Sequence, residues 1–160
     1  MEDERDDIRA IEAVILRQFG SLGWTPHTSG DWNAFTADFL PGAVLYPAAR
    51  PAKRQTPEEF VARMKGIAAT TLRSFREAAL GRQIYVFGNV AVAVAACETT
   101  ENDAQVNRGV EMMLLVKNEG AWRIVAQAWD TENATRAEPG RSASERLNRG
   151  LALDRAAGPD

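Results

Sequence analysis

Hydrophobic and polar residues alternate along much of the second half of this chain. From Val90 to Thr100 the even positions carry Val90, Val92, Val94, Ala96 and Glu98, and the odd positions Ala91, Ala93, Ala95, Cys97 and Thr99. A period of two is the habit of a β-strand. Gln105–Lys117 and Trp122–Asp130 repeat it. Gly88-Asn89 is a two-residue hairpin signal, and Glu101–Ala104 and Asn118–Gly120 are the next turns. The stretch from Arg82 to Asp130 therefore predicts an antiparallel meander. Residues 70–80 and 82–87 predict one long bent strand interrupted near Gly81.

Turns set register, and register decides which side chains meet. Closing the first of those turns by Thr100 and Gln105, or by a pairing slipped by one, puts Glu98 opposite Asn107 or Arg108. Centring the last turn on Glu119 puts Arg108 opposite Asp130 and Glu111 opposite Gln127. With the slip, the even residues share one face, bulky enough to be the core, ending in the polar row Glu98–Arg108–Asp130. The odd face, with Ala91, Met113 and Trp129, is smaller and mixed, as a contact surface would be. It predicts a homodimer formed sheet to sheet.

The first half changes period. Ile8, Ile11, Ile15, Phe19 and Leu22 recur at helical spacing over residues 3–22, with Val14 and Leu16 widening the stripe. Asp31 caps a short helix whose inner face is Trp32, Phe35 and Phe39, and residues 43–46 form a short strand. Thr56-Pro57-Glu58-Glu59 is the strongest helix start, with Thr56 as cap and Pro57 at the first helical position. Phe60, Met64 and Ile67 form that helix's buried stripe. After Asp130 the pattern dissolves, so residues 1–132 read as one domain and 133–160 as a tail, flexible or a short helix.

Composition narrows the function classes. A chain of 160 residues with 45% hydrophobic and 26% charged content fits one globular domain. A net charge of −3, with no basic stripe, gives no footprint for nucleic acid. No apolar run approaches a membrane span, and Met1–Asp7 is acidic where a signal peptide would be basic. A single cysteine, Cys97, agrees with a reducing compartment, so a cytoplasmic location is expected. His27 is the only histidine and cannot build a multi-histidine metal site; no metal is expected. No glycine-rich phosphate loop is present, and no cofactor is expected.

The order of elements resembles the nuclear transport factor 2-like (cystatin-like) α+β cone. Gly30-Asp31-Trp32-Asn33-Ala34-Phe35 with Phe39 and Val44-Leu45-Tyr46-Pro47 resembles that family's "GD…F…F…A-V…P" segment. Gly120-Ala121-Trp122-Arg123-Ile124 resembles the "G-W-R-I" opening its last strand, and Ala128-Trp129-Asp130 resembles the end of that strand in SnoaL-like members. The resemblance implies a curved antiparallel sheet wrapped around N-terminal helices, with a pocket at the open end for a small hydrophobic or aromatic ligand. It implies Asp130 as acid/base, as in SnoaL-like cyclases. Tyr46 stands where ketosteroid isomerase carries its Asp base, and its hydroxyl could orient a carbonyl or water. Arg108 and Glu98 would clamp the substrate or hold the acid, or simply form a cross-strand ion pair. Trp24 and Trp32 would stack on a flat ligand or fill the core. Cofactor-free cyclisation, isomerisation or dehydration is one expectation; ligand binding without turnover and a dimerisation domain are the others.

Overall fold

The computed structural model describes residues 2–132, so the expected tail lies outside the described residues. Three helices come first: α1 Glu2–Ser21, α2 Trp32–Ala37 and, after strand β1 Phe39–Tyr46, α3 Pro57–Ala68. Four strands follow: β2 Phe75–Phe87, β3 Val90–Glu101, β4 Gln105–Asn118 and β5 Ala121–Thr131. The five strands form one sheet in the order β1-β5-β4-β3-β2, with β1 parallel to β5 and the other neighbours antiparallel.

Local chemistry explains the boundaries. Asp31 Oδ1 accepts from the Ala34 amide at 3.1 Å, and Thr56 Oγ1 accepts from the Glu59 amide at 3.1 Å. Each satisfies an amide that the first helical turn leaves without an intrahelical acceptor. The meander turns need left-handed backbone, with Gly88 at φ 58°, Asn102 at 50°, Asp103 at 56° and Gly120 at 78°. The long bent strand is present as β2, bulged between Ala79 and Gly81. Phe39, expected on the inner face of α2, instead opens β1.

The register bears out Glu98 opposite Arg108. It corrects the last hairpin. The turn pairs Asn118 with Ala121, one residue off the expected register, and a bulge between Leu114 and Leu115 adds one more, so Asp130 lies opposite Val110, Glu111 opposite Trp129, and Gln127 opposite Met113. A β-bulge adds a residue on one strand and re-aims the side chains beyond it. On β5 it turns Trp122 and Ile124, then Gln127 and Trp129, toward the same side.

The assignment of faces is inverted on β3 and β4. The odd residues are the core: Ala91, Ala93, Ala95, Met113 and Leu115 are buried in one cluster with Ile11, Val14, Ile15 and Phe19 of α1. The even residues look outward, with Val92 43%, Met112 55% and Leu114 46% exposed. The odd face therefore cannot be the dimer surface. The reason is geometric. A helix lying in the hollow of a bent sheet needs small side chains beneath it, because interiors fill to crystal-like density and tolerate little overpacking. The alanine row of β3 gives α1 that room. Leu16, expected to widen the buried stripe, is 63% exposed.

Two polar ties hold α1 in the hollow. Asp7 accepts from Lys117 Nζ at 2.9 Å and from Trp122 Nε1 at 2.8 Å. Arg17 donates to Asp38, with Nη2 to Oδ1 at 2.9 Å. Gln18, buried, donates from Nε2 to the Phe35 carbonyl at 3.0 Å and docks α2 on α1. No helix among the described residues is long and apolar enough to cross a membrane.

Candidate functional site

One end of the hollow stays open as a cavity of about 220 Å³ between α3 and the inner face of the sheet. Its helix side is apolar, with Phe60, Met64 and Ile67 of α3 beside Leu22, Phe35 and Leu45. Its sheet side is polar, with Glu77 of β2, Cys97 of β3, Glu111 of β4 and Gln127 of β5. Phe60 and Trp129 meet edge to face across it, ring centroids 5.5 Å apart. The cavity's size suits a molecule of one or two fused rings, below the several hundred Å³ usual for drug-sized ligands.

The chemistry is concentrated on that sheet wall. A carboxylate oxygen of Glu77, the Cys97 Sγ and a carboxylate oxygen of Glu111 all lie within 4.8 Å of one another. Glu111 is buried and accepts a short hydrogen bond from Gln127 Nε2, itself buried. Burial pushes the Glu111 carboxyl up to about 7, against the Gln127 hydrogen bond, which favours the charged form. Glu77 is also pushed well up, by burial and then by the charge of Glu111. Two carboxylates this close do not both ionise readily, and the pair holds a proton near neutrality. The same burial, with the two charges, pushes the Cys97 thiol up, so it is no nucleophile at neutral pH.

Backbone geometry closes the sheet beside the pair. Gly109 lies opposite Cys97 on one side and Thr131 on the other. A β-carbon there would press on the Asp130 carbonyl oxygen, so only glycine lets β4 and β5 close at the rim.

The residues expected from sequence divide between this cavity and other places. Arg108 and Asp130 line its rim. Arg108 Nε donates to Glu98 Oε2 at 3.0 Å, which is the expected ion pair, and Asp130 Oδ1 accepts from the Thr131 amide at 2.8 Å. Glu98 itself borders a separate shallow pocket beside Phe19 and Gly20. Tyr46 lies on the outer face, in a groove with Val92, Met112 and Leu114, away from the polar wall. Trp24 is 3% exposed, donates to the Leu72 carbonyl at 2.7 Å and stacks on Phe75 at 5.0 Å. Trp32 packs on Trp24 at 5.5 Å and donates to Ser29 Oγ. The two tryptophans thus support the cavity wall from behind through Phe75. His27 is exposed in its loop.

Glu77 and Glu111 were not among the sequence candidates for catalysis. One signal was available: Glu111 and Gln127 stand alone as polar residues on an otherwise apolar strand face, a pattern that fits an internal site as well as a contact surface.

The family model described as "Putative lumazine-binding" matches residues 6–130. No curated protein sequence matches this one. Among solved structures, the chain is similar to a "Putative Scytalone Dehydratase" from Novosphingobium aromaticivorans, at 17% identity and TM-score 0.65, covering 90% of this chain and 96% of that one. It is similar to a cystatin-like protein of unknown function from Nostoc punctiforme, at 14% identity and TM-score 0.64, covering 80% and 92%. A nuclear transport factor 2-like protein of unknown function from Pseudomonas putida matches at 13% identity and TM-score 0.62, covering 79% and 89%. At these identities the likeness establishes the fold, the expected nuclear transport factor 2-like α+β cone, and nothing of the chemistry.

Proposed function

The chain belongs to the family described as putative lumazine-binding, and from that membership we propose that its cavity takes a small, flat, largely apolar molecule and moves a proton on it. The observation that carries this reading is the Glu77–Glu111 pair, the first half-buried and the second buried, on the sheet wall of a cavity whose helix side is largely apolar. A carboxylate poised near neutrality by burial is suited to take a proton from carbon and return it elsewhere. The reaction classes that need only this are isomerisation, dehydration and cyclisation, those of the cofactor-free SnoaL-like enzymes. Glu111 is the acid/base, and Glu77 its proton-sharing partner. Asp130 and Arg108 act at the rim, as the polar contacts of a ligand's exposed end.

Deuterium exchange into 2-tetralone, a flat two-ring ketone with acidic α-hydrogens, tests the reading by proton NMR. The protein is expected to accelerate exchange, and Glu111→Gln to lose roughly 100-fold or more of that acceleration. The rate is expected to rise with pH through about 7 as Glu111 gives up its proton. The groups facing it are Glu77, Cys97 and Gln127, with Arg63 and Arg108 lining the same cavity. Binding of 2-tetralone without exchange would make the cavity a binding site without turnover. An unchanged rate in Glu111→Gln would remove the pair from the chemistry.

The outer face bears on assembly. Val92, Met112 and Leu114 are joined there by Tyr46 and Tyr85, 39% and 48% exposed. A contiguous exposed apolar face of this kind on a monomer marks an association surface. We place the homodimer here, sheet to sheet about a two-fold axis. Met112→Glu is then expected to give a monomer by light scattering at micromolar concentration, since each two-fold contact would bury two unpaired carboxylates. A monomeric parent would refute the dimer.

A further inference from the structure

Two hydrogen-bond acceptors of the cavity lining have no donor among the described residues. Gln127 is 4% exposed; its Nε2 is committed to Glu111, and its Oε1 is buried with no partner among the described residues. Glu77 Oε1 is in the same position, out of water and without a donor. Both residues line the cavity, on either side of Glu111. A buried acceptor left unmatched costs on the order of 1–3 kcal/mol, and the molecule that enters can recover this if it brings the donors. Of the two arginines that line the cavity, Arg108 is paired with Glu98 and Arg63 lies over the Phe60 ring, 5.5 Å from its centroid. Trp129 adds an aromatic side to the same lining, in edge-to-face contact with Phe60.

Resting on the reading of this cavity as a small-molecule site, we propose that the ligand is an amino-substituted nitrogen heterocycle whose neighbouring N–H groups donate to Gln127 Oε1 and Glu77 Oε1. Such an edge supplies two donors side by side, stays planar, and gains positive character on protonation. Gln127 is then the residue that sets specificity: it reads the ligand's donor edge and orients Glu111 with its own amide N–H. A purely hydrocarbon ring of the same size would enter but leave both oxygens unmatched.

Two probes of nearly equal shape separate the outcomes. 2-Aminobenzimidazole carries the donor edge, and 2-methylbenzimidazole replaces the exocyclic amine by a methyl group. Calorimetric titration of the full chain is expected to give at least tenfold tighter binding of the amine. Gln127→Leu is expected to bring the two probes within about threefold of each other. Glu77→Gln, isosteric and less exposed to misfolding, is expected to lower the preference by a similar factor. Equal binding of the two probes by the parent, or a preference that survives both substitutions, would overturn the proposal, as would failure of both probes to bind. Loss of 2-tetralone exchange alone would leave this preference intact, so the two readings fail separately.

Discussion

Glu111→Gln is expected to make the protein more stable above pH 7 while removing the proposed acid/base. Burial pushes the folded-state carboxyl up to about 7, from the ordinary 4.5 of a glutamate in water. Between those values the folded state binds more protons than the unfolded chain, so stability falls as pH rises through the window. Above about pH 7 the full penalty applies, on the order of 3 kcal/mol for a shift of this size. Gln is isosteric, accepts the same hydrogen bond from Gln127, and can donate to the unmatched Glu77 Oε1. The thermal midpoint of the variant at pH 8 should exceed the parent's by roughly 5–10 °C, and the gap should close toward pH 5. Two midpoint curves that run parallel from pH 5 to 8 would show that Glu111 titrates as an ordinary carboxylate. Asp7 acts at the other limb. The hydrogen bonds from Lys117 and Trp122 hold it below its ordinary value, so its contribution is lost only as pH falls through that lowered value. A residue that costs stability where it works is the usual trade at an active centre.

Gly109→Ala should be among the most damaging single-methyl additions in the chain. The new β-carbon would meet the Asp130 carbonyl, a backbone atom that no rotamer change can withdraw. Strands β4 and β5 would have to part at the rim, at a cost of about 1–3 kcal/mol, typical of overpacking. The displacement falls between Glu111 and Asp130, so the cavity should also lose the shape on which the proposed ligand binding rests. Gly66→Ala is the control. It lies within α3 with open space where the β-carbon would go, and alanine there should add about 0.5–1 kcal/mol through helix propensity. Urea denaturation of the two variants should give midpoints displaced in opposite directions. A Gly109→Ala midpoint equal to the parent's would mean that the two strands are not closed at this point.

How far the fold could be read in advance differs by element. Helices α1 and α3 and the three meander turns are specified locally, by period, caps and turn residues, and they stand where the sequence puts them. The choice of sheet face was not local. Alternation states that two faces differ, but not which one a helix will cover. Ranking the faces by bulk chose the valines, whereas curvature and the closeness of α1 select the alanines of β3. The candidate site suffered the same way. Arg108 and Asp130 were legible through strand-end position and resemblance, and they do reach the rim. Glu77 and Glu111 come together only through the β2 and β4 registers and the inverted face. Tyr46 followed the face: Leu45 turns inward, so its neighbour turns out. The bulge between Leu114 and Leu115 has no glycine or proline to announce it, and with the register set at the turn it decides that Gln127 lies opposite Met113.

The sheet order has a consequence for how the chain is made. β1, the first of the described strands along the chain, has β5, the last of them, as its strand neighbour, and Asp7 is bonded to Trp122, 115 positions later. The β2–β3–β4 meander pairs only with near neighbours and can form as it emerges. Strand β1 must wait, without its sheet neighbour, until residues 121–131 arrive. Closure of this cone is therefore a late, nearly all-or-none step in synthesis. A chain released before Ala121 would keep a hairpin sheet with an open edge at β4, the kind of unfinished product that chaperones and proteases intercept.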